Sequence, residues 1–490
     1  MTFPVLSVIV FTPIVTAIIL LLIPADRKNE IRLVALMAAV ITLVLSIWSY
    51  FSYDMAAGGY QFVTQVPWLP QFGISYHVGV DGISLPLVVL TGVVIFTGVL
   101  ISWGIDDRPR EFFAFLFILA TGVFGVFVSL DLFQLFFFYE IAVFPMFLLI
   151  AIWGWQQTRE YAAMKLTLYL FIGSVVALVG GLVMVFSSGL NTFDMLALEK
   201  AGFSAGFQHF WFPFVFFGFA ILGGIFPFHN WSPDGHVAAP TAVSMFHAGV
   251  LMKLGAFAAL RVGIMLLPEG ARYWAWLILI LGTINVVYGA FIAMVQTDFK
   301  YIIGFSSVSH MGLVMLGFAT LNKDGLTGAG IQMFSHGVMT ALFFAVVGTV
   351  YDRAHTRQLP ELGGMGKVLP LSMIGFIIGS LVSMGMPGFS GFIAEFPIFM
   401  GLWQRAPVAA LLAVLGIVIT AAYLLVAVGK VFFGRMPDKF EGHISGLKLQ
   451  DKVAILFMSG LMVLIGVYPG IMAPMVQSGA QAVLRLVGGA

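Results

Sequence analysis

Residues 210–261 read FWFPFVFFGFAILGGIFPFHNWSPDGHVAAPTAVSMFHAGVLMKLGAFAALR, a segment apolar enough to lie in a lipid bilayer. It nevertheless contains the pair Gly223-Gly224, three prolines between positions 227 and 240, three histidines, and Lys253 deep in its second apolar run. A helix that glycine and proline interrupt leaves backbone polar groups unpaired, and a membrane protein tolerates this only where protein or water covers them. An ionisable side chain at membrane depth is costly and therefore indicates function. The segment predicts a broken membrane helix followed by a helix that carries a buried charge.

The composition excludes a soluble protein. Of the 490 residues, 60% are hydrophobic and only 9% are charged, and the mean hydropathy is +1.04, whereas soluble domains carry about a quarter of charged residues. The net charge of +1 and the absence of a basic run give no reason to expect a nucleic-acid partner. Because the chain has no cysteine, it cannot hold thiolate-ligated iron–sulfur clusters, cysteine-bound zinc or covalent c-type haem.

Apolar runs of about 20 residues, long enough to cross ~30 Å of hydrocarbon, predict an all-α polytopic membrane protein with fourteen spans. The spans lie at residues 3–24, 31–53, 83–103, 112–130, 132–154, 164–187, 211–229, 241–265, 273–296, 300–320, 329–351, 370–403, 407–433 and 453–475.

The distribution of basic residues predicts the orientation. Loops after odd-numbered spans hold sixteen lysines and arginines, and loops after even-numbered spans hold five. Positively charged loops stay in the cytoplasm. We therefore expect both termini on the outer side of the membrane.

Two spans are interrupted and lie five spans apart. Span seven contains Gly223-Gly224, and span twelve, too long for one straight crossing, contains GMPGFSG at residues 385–391. Because five is odd, this spacing predicts two inverted five-helix repeats, helices 4–8 and helices 9–13, with broken helices 7 and 12. The predicted divisions are residues 1–105, 106–268, 269–434 and 435–490.

Three charged residues at membrane depth are candidate ion-path residues. Glu140 follows LFFFY in span five, Lys253 lies mid-way along span eight, and Glu395 follows the break of span twelve. Glu140 could instead be a neutral, hydrogen-bonded acid within the bundle, and Glu395 could cap the restarted half-helix. Lys253 is too far from either helix end for its ammonium to reach water, so a lysine that takes up and releases a proton is the interpretation favoured there.

Five histidines lie in or beside spans and fit a proton relay, because imidazole titrates near neutrality. The candidate relay residues among them are His229, His247, His310 and His336. A single histidine on an apolar helix is more often a satisfied core residue, and a bis-histidine haem is a rival use for His310 and His336.

Five motifs in order identify the chain as a member of a known family. They are SLDLFQLFFFYEIAVFPMFLLIAIWG, PFHNWSPDGHVAAPTAVSMFHAGVLMKLGAFAALR, QTDFKYIIGFSSVSHMG, QMFSHGVMTALFFAVVGTVYDR and GMPGFSGFIAEF. Together they resemble the antiporter-like subunits of respiratory complex I, most closely the M type of bacterial NADH–quinone oxidoreductase. The carboxylate of GFIAEF favours the M type over the L type.

The resemblance implies a proton-translocating subunit of the bacterial inner membrane. Glu140 would be the helix-5 glutamate, Lys253 the central lysine and Glu395 the exit glutamate, with His310 and His336 on the axis between them. The resemblance implies that NAD, FMN, iron–sulfur clusters and quinone bind in partner subunits and that this chain holds no cofactor. Its expected neighbours are L-type and N-type antiporter-like subunits and the lipid bilayer.

The chain departs from the family pattern at one central position. The family usually has a lysine seven residues before the histidine of Pro-x-His, where this chain has Leu222. Our hypothesis is that His247, His229 or water modulates Glu140 instead and that Lys253 is the main proton carrier. A subunit of a multi-subunit cation/proton antiporter and a non-pumping structural module remain alternatives.

Overall fold

A computed structural model describes residues 3–488, which form a bundle of long helices and one small hairpin. The helices are α1 Val5–Leu22, α2 Lys28–Ser52, α3 Ser84–Ile101, α4 Pro109–Val128, α5 Leu132–Trp153, α6 Arg159–Ser188, α7 Ala205–Leu222, α8 Trp231–Ala238, α9 Thr241–Ile264, α10 Pro268–Val295, α11 Phe299–Thr320, α12 Lys323–Ala354, α13 Pro370–Ser383, α14 Ser390–Arg405, α15 Pro407–Phe432, α16 Leu449–Val467 and α17 Ala473–Val487. A single helical turn, Met195–Leu198, lies between α6 and α7.

Thirteen helices in the described range are long and apolar enough to cross a membrane, so this is a multi-pass membrane protein. They fall into a central group and an outer group. In the most apolar window of α9 and α12 every residue is buried, and α3, α4 and α11 are nearly as enclosed, whereas α1, α2, α6, α10, α15 and α16 bury less than half of the residues in that window. Polar side chains that the sequence places at membrane depth can therefore be sheltered in the central group.

The chain is mostly helical, as the all-α prediction states, but the segment between α2 and α3 contains two strands that were not predicted. Strands β1 (Gln61–Leu69) and β2 (Ile74–Val80) form an antiparallel hairpin there. The turn is closed by Gly73, which has a positive φ of 68° that glycine adopts at no steric cost. The hairpin defines one end of the bundle, which we call the hairpin side. The opposite end has a cavity bordered by the loops that join α3 to α4 and α5 to α6, and we call it the crevice side.

The predicted break of span seven is present and separates α7 from α8. The side chain of Asn285, on α10, completes it. Its Oδ1 accepts a hydrogen bond from the backbone N–H of Phe226 at 2.5 Å, and its Nδ2 donates to the carbonyls of Gly224 at 2.8 Å and Val308 at 3.2 Å. One buried side chain thus satisfies backbone groups that the interrupted helix leaves unpaired, as a low-dielectric interior requires.

The predicted break of span twelve is also present and separates α13 from α14. Ser383, the last residue of α13, and Ser390, the first of α14, both face buried partners, with Ser390 Oγ 2.8 Å from Ser335 Oγ on α12. Gly466 of α16 allows the break to pack closely, because a Cβ at this position would lie 2.2 Å from the Cα of Phe389.

Helices α9 and α12 cross at a pair of glycines. A Cβ added at Gly249 would lie 3.1 Å from the carbonyl oxygen of Gly337, and one added at Gly337 would lie 2.6 Å from the carbonyl oxygen of Gly249. A side chain at Gly337 would therefore require a shift of backbone, and one at Gly249 would make a tight contact. This crossing brings the segment with His247 and Lys253 beside His336.

We expect Gly337→Ala to destabilise the protein by about 1–3 kcal/mol, since overpacking a tight contact costs that much. The added methyl group would also meet the side chain of Leu90 at 2.6 Å. The measurement is the thermal unfolding midpoint in detergent. Gly460→Ala on α16 is the matched control, because nothing lies within 4 Å of a Cβ there, and equal midpoints for the two variants would contradict the prediction.

Candidate functional site

The site centres on Lys253, whose side chain is fully buried in α9. Its Nζ donates a hydrogen bond to the carbonyl of Ala248, five residues earlier. The intervening residues His247–Leu251 form a π-helical segment, and such segments widen the backbone ladder and often occur at functional sites. The sequence prediction that this lysine is buried at mid-helix is confirmed.

Two histidines lie next to one another on the crevice side of Lys253. The ring centroids of His247 and His236 are 4.0 Å apart, and Trp231 packs on the His247 ring at 5.1 Å. The Nε2 of His236 lies 3.0 Å from Ser232 Oγ, while both ring nitrogens of His247 have no hydrogen-bond partner among residues 3–488. Two adjacent imidazoles with free nitrogens can exchange a proton through a small rotation or a bridging water.

Lys300 connects this pair to the crevice side. Its Nζ donates to the carbonyl of Ala239 at 2.7 Å and to Ser244 Oγ at 3.3 Å, and Ser244 Oγ in turn donates to the carbonyl of His236 at 2.8 Å. Lys300 also lines a cavity of about 780 Å³ together with Asp352 and Arg357. The cavity is bordered by the loops that join α3 to α4 and α5 to α6. Buried polar groups thus extend from this cavity to the histidine pair.

A second group of polar side chains lies on the side of Lys253 that faces α11 and α12. His336 of α12 and His310 of α11 have ring centroids 5.3 Å apart. His310 Nδ1 lies 3.1 Å from Glu395 Oε1, and His310 Nε2 lies 2.7 Å from Ser383 Oγ. Gln332 Nε2 donates to Glu395 at 3.2 Å. The break of span twelve therefore presents Glu395, which is buried, to His310, and the ring of His336 lies beside His310.

Glu140 does not join this cluster. Its side chain is exposed on α5, on the same face as the exposed rings of Phe137 and Phe144. The prediction that Glu140 is buried within the bundle was wrong, because α5 packs against α4 and α6 through other faces and turns this one outward.

The proposed contact between Glu140 and a histidine is also absent. His229 is buried against the rings of Phe226 and Tyr288, at 5.7 Å and 5.2 Å, and His247 contacts Trp231 and His236. Leu222, in place of the family's lysine, is buried in the core. The next glycine packs so closely that a Cβ at Gly223 would lie 2.7 Å from Met315 Cε. Apolar packing therefore occupies the position where the family has a charge.

Other charged groups at the crevice side are held in ion pairs. Asp234 accepts from Lys165 Nζ at 2.7 Å and from Tyr301 OH at 2.9 Å, and Asp298 accepts from Arg357 at 2.7 Å. These pairs join α6, α8 and α11 and fit the role of structural anchors.

A further ion pair lies toward the hairpin side. Arg261, eight residues after Lys253, forms a salt bridge with Asp81 at 2.5 Å, and both side chains are 4% exposed. Asp81 also accepts from the backbone N–H groups of Ile83 and Ser84. Burial raises the pKa of Asp81, but the Arg261 guanidinium and these N–H donors outweigh it, so the pKa lies below its ordinary value.

Two polar residues of this arrangement, Ser244 and Lys300, were not among the candidates taken from the sequence. His236 was one of the five histidines in or beside spans but was not named as a site residue, although it lies in the interrupted segment with His229 and His247. Lys300 follows Asp298 at a span end, where an interfacial anchor is the ordinary interpretation, so its contact with Ser244 could be found only in three dimensions.

Comparison with known proteins agrees with this architecture. The family model for the membrane subunits of NADH:quinone oxidoreductases and Mrp antiporters matches residues 129–420. Chain 4-2 of the NAD(P)H-quinone oxidoreductase of Synechocystis is 38% identical over 88% of this chain and 78% of its own length, and chain 4 from Gloeobacter violaceus is 35% identical over 95% and 90%.

Solved structures give the same result. A chain of respiratory complex I from Thermus thermophilus superposes with a TM-score of 0.91 and 28% identity, covering 99% of this chain and all of that one. A chain of the Mrp complex from a Dietzia species shares the fold with a TM-score of 0.89, at 20% identity and full coverage of both chains. The chain therefore belongs to the NADH:quinone oxidoreductase/Mrp antiporter family of membrane subunits.

Proposed function

We propose that this chain is the proton-translocating, M-type membrane-arm subunit of a complex-I-type quinone oxidoreductase. The observation that carries the proposal is the row of buried polar side chains from the crevice to the break of span twelve. This row, which we call the proton row, runs through the helices α8, α9, α11 and α12 and ends at Glu395 on α14. Its members are Lys300, His236, His247, Lys253, His336, His310 and Glu395. Buried ionisable groups are costly in a membrane, so a row of them indicates a path for charge.

In this mechanism Lys253 is the proton carrier. A proton from the crevice passes Lys300 and the pair His236 and His247 to the Lys253 amine. The resulting ammonium gives its proton to His336, and the lysine returns to the neutral form. The protonated His336 gives its proton to His310, whose ring lies beside it, and His310 passes the proton to Glu395. The Glu395 carboxyl group then releases it on the hairpin side. No covalent bond other than those to the moving proton changes.

The free energy for moving protons against the membrane potential must come from outside the chain. Moving one elementary charge against 100 mV costs ~2.3 kcal/mol, and nothing in the proton row supplies that free energy. We propose that quinone reduction in partner subunits, which hold NAD, FMN and iron–sulfur clusters, drives the transfers.

We further propose that α13 and α14 together form span twelve, which brings the number of spans to fourteen. We also propose that spans 4–8 and spans 9–13 are inverted repeats. In support, α7 and α8 run from the hairpin side to the crevice side, whereas α13 and α14 run in the opposite direction. Opposite directions of two broken helices are what an inverted repeat produces. The basic-residue distribution then assigns the crevice side to the cytoplasm and both termini to the outer side of the bacterial inner membrane.

The outward face of Glu140 supports a role for neighbouring subunits. An exposed carboxylate between Phe137 and Phe144 is costly against lipid, and a polar group of an adjacent L-type or N-type subunit would relieve that cost. In this proposal Glu140 lies at a subunit junction, and His229 does not take part in the proton row.

Two alternatives make different predictions. A multi-subunit cation/proton antiporter would exchange sodium for protons without a redox substrate, and a non-pumping module would tolerate loss of Lys253. The relatives at 35–38% identity are NAD(P)H-quinone oxidoreductase chains, whereas the Mrp chain at 20% identity is similar in fold alone. The redox-driven function is therefore the better supported.

The deciding experiment is Glu395→Gln in the assembled complex, reconstituted in liposomes with an internal pH dye. Glutamine keeps the shape and accepts the Gln332 hydrogen bond but releases no proton, so we expect fewer protons moved per quinone reduced. Glu160→Gln is the control, because Glu160 is exposed at the start of α6. Unchanged proton stoichiometry in the Glu395 variant would overturn the proposal, and sodium-dependent exchange without redox substrate would favour the antiporter.

A further inference from the structure

We propose that Arg261 closes the hairpin-side end of the Lys253 site, so that a proton on Lys253 leaves sideways through His336 and not directly along α9. The inference deepens the proposed function and rests on it. Arg261 is a positioning residue in this scheme, since it directs the proton without receiving it.

The first argument is the position of the guanidinium. Arg261 follows Lys253 by eight residues, a rise of about 12 Å along the helix. Helical side chains lean toward the N-terminus of their helix, and the guanidinium accordingly lies over the ring of Phe257, at 5.1 Å from its centroid. The positive end of the Arg261–Asp81 pair therefore points back toward Lys253.

The second argument is that the ion pair is buried and that both partners make further hydrogen bonds. The guanidinium binds Asp81 and donates to Tyr60 OH at 2.9 Å, while the second oxygen of Asp81 accepts from the backbone N–H groups at the start of α3. Such additional hydrogen bonds offset the cost of burying the two charges. The pair thus joins α9 to the loop that precedes α3, at a place where no other group of the proton row is found among the described residues.

The third argument is the apolar layer between the two cations. Phe257 of α9 packs against Phe127 of α4 with ring centroids 5.3 Å apart, and both rings are buried. A proton that moved from Lys253 toward the hairpin side would first cross this layer and then approach a fixed positive charge. Both steps raise its free energy, whereas His336 offers an acceptor with two free ring nitrogens.

The test measures passive proton flux through the resting complex in liposomes, under a potassium diffusion potential and without redox substrate. The main variant is the double substitution Asp81→Asn with Arg261→Gln, which removes both charges and leaves no buried ion unpaired. We expect about tenfold faster proton leak, because the pair turns its positive end toward the path and removal of this repulsion lowers the barrier by roughly that factor. Arg261→Lys keeps the charge and is expected to leak like the unmodified complex.

The proton and potassium leak rates distinguish a lost charge barrier from lost packing. Faster proton leak in the double variant alone, with unchanged potassium leak, supports the inference. Proton leak equal to that of the unmodified complex overturns it. Equal increases for protons and potassium, or an equal increase in Arg261→Lys, also overturn it, because they indicate lost packing and not a lost charge. Redox-driven acidification by the unmodified complex is measured in the same vesicles, and its absence would refute the proposed function and not this inference.

Discussion

Replacing Lys253 by methionine is expected to slow proton transfer through this chain by roughly 100-fold or more, the usual loss when a positioned acid–base group is removed. Methionine fills a similar volume in the buried site but cannot carry a proton from His247 to His336. In liposomes containing the assembled complex, the ratio of protons moved to quinone reduced is therefore expected to fall. The measurement is dye acidification recorded together with the rate of quinone reduction.

Lys200→Met is the matched control, because Lys200 is exposed in the turn after Met195–Leu198. The Lys253→Met complex could instead pump fully and be more stable, because a buried amine has been removed. That result would show that the chain is a structural module and not a proton carrier. A lower ratio with unchanged assembly would exclude that alternative.

Replacing Asn285 by leucine is expected to have the largest effect on stability. Leucine has similar bulk but makes none of the three hydrogen bonds to Phe226, Gly224 and Val308. A buried polar group that loses its partner costs about 1–3 kcal/mol, so the summed loss for the three groups is roughly 3–9 kcal/mol. We expect a strongly lowered unfolding midpoint in detergent and little assembled complex in membranes.

The control for this variant is Asn230→Leu. Asn230 lies at the end of the same break, is exposed, and makes no capping hydrogen bond with its side chain. If both variants unfolded at the same temperature, the break would be held by backbone packing and not by Asn285.

Sequence reasoning located the breaks and the buried charges of the second half because each has a local cause. Glycine and proline at residues 223–227 and 385–388 interrupt helices wherever they occur in an apolar run. The apolar runs around Lys253, Glu395, His310 and His336 likewise place these residues at membrane depth, and the structure buries all four side chains.

The wrong or missed predictions concern which face of a helix is buried and which residues contact one another. Local sequence specifies neither. Glu140 lies in as apolar a run as Lys253, and only the packing of α5 decides that its side chain points outward. The hairpin was missed because β1 is largely exposed and its strands are stabilised mainly by pairing with each other. Lys300 and Ser244 are separated by more than fifty residues, so their contact is a property of the assembled bundle.

The dependence of the span-seven break on Asn285 has a consequence for biogenesis. Asn285 follows the break by about sixty residues and lies past the middle of α10, so α9 and more than half of α10 must be synthesised before it reaches the membrane. Until then the peptide groups at Gly224 and Phe226 lack their partner, so the first broken helix cannot reach its final form when it leaves the translocon. The first half of the bundle is therefore completed by a helix that follows it, and a chain truncated before α10 would retain an unfinished break in the lipid.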